Sequence, residues 1–304
     1  MQYYPSGNQY EIVYEKQRAV IVSVGGGVRR YDVADRPVFD PYDQSALCDG
    51  AHGTALIPWP NRLEDGQYSF NGTSYQVPIT EVDKNNAIHG FLRWQSFDLK
   101  DQSAHAVTVG TVLYPFPGYP FILEVKIAYS LSERGLEVAT TATNHSEASC
   151  PYATGHHPYL SPGADTLVDE ATLTLPAATR ILTDERQLPI GNESVQGTEY
   201  DFQIGKKIGP LAIDYGFSNL KRDGDGRAWA RLDGTDGKSA EIWVDAHYSV
   251  LEIYTGDTLA PDRRRRGLGV EPMTCPPNGL HSGEGVIVIE PHQSVTTTWG
   301  ARLQ

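Results

Sequence analysis

Cysteine, positive charge, long apolar runs and helical periodicity are all in short supply in this 304-residue chain. Its three cysteines, Cys48, Cys150 and Cys275, are an odd number at irregular spacing with no Cys-x-x-Cys element, which argues against structural zinc or a redox dithiol. Free thiols in a reducing compartment fit best. The N-terminal stretch has neither a basic start nor an apolar segment, so a cytoplasmic location is expected. Lysine and arginine total 25 against 38 aspartate and glutamate, a formal charge of −13. Nucleic acid and anionic membranes require clustered positive charge to displace counterions, so neither is expected as a partner. Neutral small molecules remain. No apolar run is long enough to cross a bilayer as a helix.

What the chain does have is a succession of short alternating or β-branched runs bounded by Gly, Pro, Asn and Asp. That pattern predicts antiparallel strands at 18–24, 106–113, 121–131, 136–143, 240–244, 249–254, 286–290 and 295–299. Residues 67–70 and 73–77 flank Asn71-Gly72, a pair that accepts the positive φ angles of a two-residue hairpin. Gly25-Gly26-Gly27 lacks the Lys-Ser/Thr of a phosphate loop and is expected to be a bulge or tight bend. No composition shift, linker or repeat divides the chain, so one domain over residues 1–304 is expected, as an all-β sandwich. The arginine run 263–266 is expected to be a solvated loop, with a phosphate clamp as its functional alternative.

Three distant segments carry the chemistry: Asn86-Ala-Ile-His89-Gly90, Gly155-His156-His157-Pro158-Tyr159 and Glu271-Pro272-Met273-Thr274. Two imidazoles and a carboxylate can give a proton to one oxygen and take one from another near neutral pH, with no metal or organic cofactor required. No His-x-x-x-His or comparable ligand pattern links the histidines. Together with Pro58-Trp59-Pro60-Asn61-Arg62 upstream, these segments resemble the aldose 1-epimerase (mutarotase) family in content and order, over nearly the whole chain.

The resemblance implies a large antiparallel supersandwich of the galactose mutarotase type. It also implies a small-molecule sugar as substrate and site roles for five residues. Glu271 would be the base and His157 the acid, while His89 would position and polarise the ring-oxygen side. Arg62 and Asp214 would contact sugar hydroxyls. In a strand only one of His156 and His157 can face a cleft, and the following Pro-Tyr favours His157. Arg62 in an ordinary ion pair is the competing reading of that residue. Asp214 is followed by Tyr215, where galactose mutarotases carry histidine, which leaves the preferred sugar open. Trp59, Tyr159 and Trp243 are candidates for a flat wall against the sugar, or core filler.

Rival readings are a glycoside hydrolase with Asp257 or Asp214 as second carboxylate, and a hexose 6-phosphate epimerase using Arg62, Arg93 or the arginine run. A third is a carbohydrate-binding protein without turnover on the same scaffold. The oligomeric state is expected to be monomer or homodimer.

Overall fold

The computed structural model describes residues 3–304. Strict alternation builds its largest sheet. In Leu123–Ser132 the residues Leu123, Val125, Ile127, Tyr129 and Leu131 are buried and those between them are not. The antiparallel partner Gly135–Asn144 points Leu136, Val138, Thr140, Ala142 and Asn144 inward. Nine strands pair in the order 98–102, 106–113, 123–132, 135–144, 294–303, 239–244, 228–233, 172–174 and 206–207.

A second sheet runs through Pro189–Ser194, Ala177–Thr183, Asp214–Leu220, Val250–Tyr254, Leu268–Met273, Gly155–His156 and Ala55–Leu56, with Tyr159–Leu160 also on Leu268–Met273. Val250–Tyr254 and Leu268–Met273 are buried almost throughout, as central strands covered on both faces should be. The two large sheets close on one contiguous apolar core. His156 crosses between them, bonding Thr140 at 2.9 Å and lying 5.2 Å from the Trp299 ring. The architecture is therefore the expected antiparallel β-sandwich. A smaller four-stranded sheet, starting at Gln9–Tyr14, precedes the two large ones in the chain.

The predicted hairpin forms with Gln67 opposite Gln76 and Phe70 opposite Thr73, and both turn residues take positive φ, 48° at Asn71 and 77° at Gly72. Residues 106–113 form a strand with the predicted ends. Gly25 and Gly26 have φ of 75° and 58° in a tight bend, and a Cβ on Gly27 would fall 2.3 Å from the Gly53 carbonyl oxygen. All three cysteines are free and buried. Burial lifts the Cys275 thiol to about 12, which makes it inert packing. No helix among the described residues is long and apolar enough to cross a membrane.

Candidate active site

A break in one sheet positions the first candidate. Gly155–His156 and Tyr159–Leu160 both pair with Leu268–Met273, but the ladder is interrupted at His157-Pro158. Pro158 has no N–H to donate, and the His157 N–H turns instead to the Thr54 carbonyl at 3.1 Å. His156 therefore points into the core, while His157 opens on a cleft of about 770 Å³. Glu271 lines the same cleft, and its Oε1 lies 3.1 Å from His157 Nε2.

His89 lines the same cleft, its ring centroid 5.5 Å from that of His157, with its backbone held in the left-handed region at φ 62°. Asn61 N–H donates to His89 Nδ1 at 3.1 Å, and the His89 N–H returns a bond to the Asn61 carbonyl at 3.0 Å. With Nδ1 accepting, the ring proton sits on Nε2. The next residue must be glycine: its φ is 65°, and a Cβ would lie 2.1 Å from the Ile57 carbonyl oxygen. Gly90→Ala is expected to destabilise the fold by roughly 1–3 kcal/mol from the left-handed dihedral alone, with the clash added. A chemical-denaturation midpoint equal to wild type would show that the Ile57 backbone yields freely.

Burial dominates the electrostatics. It pushes the Glu271 carboxyl well above the usual carboxylate range, and the nearby Glu252 and Asp214 push it further. The same burial pushes the His157 and His89 imidazoles well down, assisted by neighbouring cationic side chains. Burial thus disfavours the charged form of the base and of the acid alike. His89, kept neutral, serves as a hydrogen-bond donor.

The cleft brings together all five residues singled out by the motifs: Arg62, His89, His157, Asp214 and Glu271. Arg62 forms an ion pair as well as lining the cleft, giving Nε and Nη2 to Glu81 at 2.9–3.1 Å. Asp214 accepts from Gln187, which in turn accepts from Lys84. Burial raises the Asp214 carboxyl against the pull of Arg62. Asp257, the other candidate second carboxylate, is bound to Arg265 at 2.7 Å and does not line the cleft.

One expectation is corrected. The arginine run is not a solvated loop throughout: Arg264 and Arg266 are exposed, but Arg265 is buried between Asp169 and Asp257, both at 2.7 Å. Arg263 bonds Asp40 at 3.0 Å and meets His52 Nε2 at 2.9 Å. Carboxylates occupy the guanidinium groups of Arg263 and Arg265, which takes these two away from a phosphate clamp.

Motif reading also missed the support behind His157. Its ring stacks on Tyr159, with centroids 5.0 Å apart, and Tyr159 stacks on His52 at 3.7 Å. His52 is buried, and of the three candidate aromatic walls only Tyr159 lines the cleft. Trp59 packs edge-on against Phe91, and Trp243 lies beneath Arg227. Glu81 and Glu252 carried no motif signal. A larger cleft of about 920 Å³, lined by residues such as Asn192, Asn219 and Pro277, contains no histidine. Its carboxylates are Glu193, engaged by Arg180, and Glu284, and with no imidazole beside them the acid–base pair belongs to the smaller cleft.

Comparison with known proteins bears on the family and the fold. The sequence profile described as aldose 1-epimerase matches residues 9–300. The uncharacterized protein YihR of Escherichia coli (strain K12) is 32% identical over 301 residues, covering 98% of this chain and 94% of YihR. Two solved structures share the fold at low identity. The GalM/aldose epimerase homologue from C. elegans superposes with a TM-score of 0.87 at 15% identity over 98% of both chains. Galactose 1-epimerase from Lactobacillus acidophilus NCFM gives 0.80 at 18% identity, covering 97% of this chain and 94% of the other. A profile match over nearly the whole length, on this sandwich and around this cleft, places the chain in the aldose 1-epimerase family.

Proposed function

We propose that the protein interconverts the α and β anomers of an aldose by acid–base-catalysed ring opening and reclosure. The observation that carries this reading is the 3.1 Å approach of Glu271 Oε1 to His157 Nε2, with His89 in the same cleft. Glu271 takes the proton of the C1 hydroxyl as the C1–O5 bond breaks. The electron pair released to O5 is met by the proton from His157. His89 Nε2–H donates a hydrogen bond on the ring-oxygen side, and Arg62 and Asp214 hold hydroxyls. The open-chain aldehyde rotates about C1–C2 and closes on its other face with the two groups exchanging roles, so no net proton or electron is consumed.

A neutral aldose is the substrate class this cleft favours. Six carboxyl-bearing residues line it (Asp49, Glu81, Asp83, Glu185, Asp214 and Glu271) against three cationic ones (Arg62, Lys84 and Arg93). One observation favours a second reading, a sugar bearing a phosphate. Arg93 lies over the Trp94 ring at 4.7 Å and has no carboxylate partner among the described residues. Anomer-resolved NMR initial rates on a panel of aldoses and their 6-phosphates separate the two. Acceleration of free aldoses above the spontaneous rate is expected, with weaker action on the phosphates. No acceleration with any sugar would leave carbohydrate binding without turnover as the surviving reading.

A further inference from the structure

We propose that His52 is a positioning residue for His157: it is the base of a three-ring stack, His52–Tyr159–His157, anchored by Asp40, Asp49 and Arg263, that fixes the plane in which the acid presents Nε2. Its catalytic consequence rests on the anomerisation reading above, whereas the stack itself does not.

An imidazole that delivers a proton along one direction needs its ring plane fixed, and a hydrogen bond on its second nitrogen is the usual means. His157 lacks that restraint: Nε2 meets Glu271 Oε1 at 3.1 Å, but Nδ1 bonds no other residue among those described. Packing must supply it. The His89 ring stands at 74° to the imidazole, whereas the Tyr159 phenol lies nearly parallel to it, at 17° and 5.0 Å between centroids. His52 is parallel to the same phenol, at 5° and 3.7 Å. Two parallel rings at those distances would collide on one face, so they cover opposite faces of Tyr159.

Each lower ring is tied at its edge. The Tyr159 hydroxyl donates to the Gly50 carbonyl at 2.8 Å, and its backbone carbonyl accepts from the Asp40 N–H at 2.8 Å. Gly267 permits this closeness, since a Cβ there would lie 2.7 Å from Asp40 Cβ and 2.9 Å from Tyr159 Cβ. His52, 3% exposed, receives an N–H from Arg263 on Nε2 at 2.9 Å, and Arg263 also donates to Asp40 at 3.0 Å. Asp40 Oδ2 approaches the same Nε2 less closely, at 3.3 Å. A guanidinium N–H can only donate, so Nε2 accepts and the ring proton sits on Nδ1, 3.2 Å from the Asp49 carbonyl. Neither His52 nor Arg263 lines the cleft, so both act through Tyr159 and His157.

His52→Leu and His52→Phe lose the same hydrogen bonds and differ in the flat ring. In His52→Leu, kcat is expected to fall about tenfold with KM within about twofold, because a misdirected proton donor costs rate while Arg62 and Asp214 still hold the sugar. His52→Phe rebuilds the stack, and its kcat is expected within about threefold of wild type. Equal losses in the two variants, no loss in either, or a change confined to KM would overturn the proposal.

Histidine-labelled NMR reads the ring itself, with the His157 signal identified by its absence from His157→Asn. Stacking on a phenol shields carbon-bound ring protons, so this signal is expected upfield in wild type and displaced toward the ordinary histidine position in His52→Leu. His52→Asn, which keeps a hydrogen-bonding group for Arg263 but has no ring, is expected to displace it in the same direction and serves where His52→Leu does not fold. A His157 signal that stays in place without the His52 ring overturns the proposal. If the signal moves as expected while wild type accelerates no sugar, the functional reading fails and the placing of His157 by the stack stands.

Discussion

Glu271→Gln is expected to remove nearly all anomerisation, with kcat falling by about 10²–10⁴ as befits loss of a general base. The amide preserves the shape of the side chain in a buried position but cannot take the C1 hydroxyl proton. Stability should move the other way. Because burial raises the folded-state proton affinity of Glu271, the unfolded chain gives up this proton at a lower pH than the folded one. The folded state then binds more protons than the unfolded state between the two pKa values, and wild-type stability declines as pH rises through that window. Gln has no such dependence. The melting temperature of the variant relative to wild type should therefore increase from acidic to neutral pH, and the two proteins should converge below the ordinary glutamate pKa. Near wild-type turnover by polarimetry, with melting differences flat in pH, would remove Glu271 from the role of base.

Replacing the neighbouring histidines is expected to separate activity from stability. His157→Asn should cost about 10²–10⁴ in kcat, because the variant retains a polar group but cannot deliver a proton to O5. His156→Asn should leave kcat within a few-fold and instead weaken the fold. The fully buried Thr140 sits between the apolar Val138 and Ala142 in the inward row, and its only side-chain partner among the described residues is His156 Nε2 at 2.9 Å. A buried polar group left without its partner costs about 1–3 kcal/mol, before the void beside Trp299 is counted. The His156 imidazole is bonded to Thr140 in the core and does not line the cleft, so it has no access to O5. Initial rates and urea unfolding on the same two preparations decide the matter. A severe loss of rate in His156→Asn with a mild one in His157→Asn would reverse the assignment.

Many of the strands, the hairpin and the segments that meet at the cleft were legible in the sequence because each depends on nearby residues, whereas strands such as Asp214–Leu220 and Leu268–Met273 were not. Alternation selects which side of Leu123–Ser132 is buried, and Asn71-Gly72 selects its turn by permitting positive φ. The His-Gly pair at 89–90 could likewise be read as a motif, though the reason for its glycine is a carbonyl more than thirty residues away. What only the tertiary structure decided was which charged group meets which. Glu252 and Glu271 become neighbours through strand register, Arg62 finds Glu81 beyond an intervening hairpin, and Arg263 and Arg265 are claimed by Asp40 and Asp169 from distant parts of the chain. Local dihedral preferences and side-chain periodicity are written along the chain, but hydrogen bonds, Coulomb interactions and desolvation depend on distance in space. The proton affinities that make this cleft reactive therefore come into being only when the two sheets close.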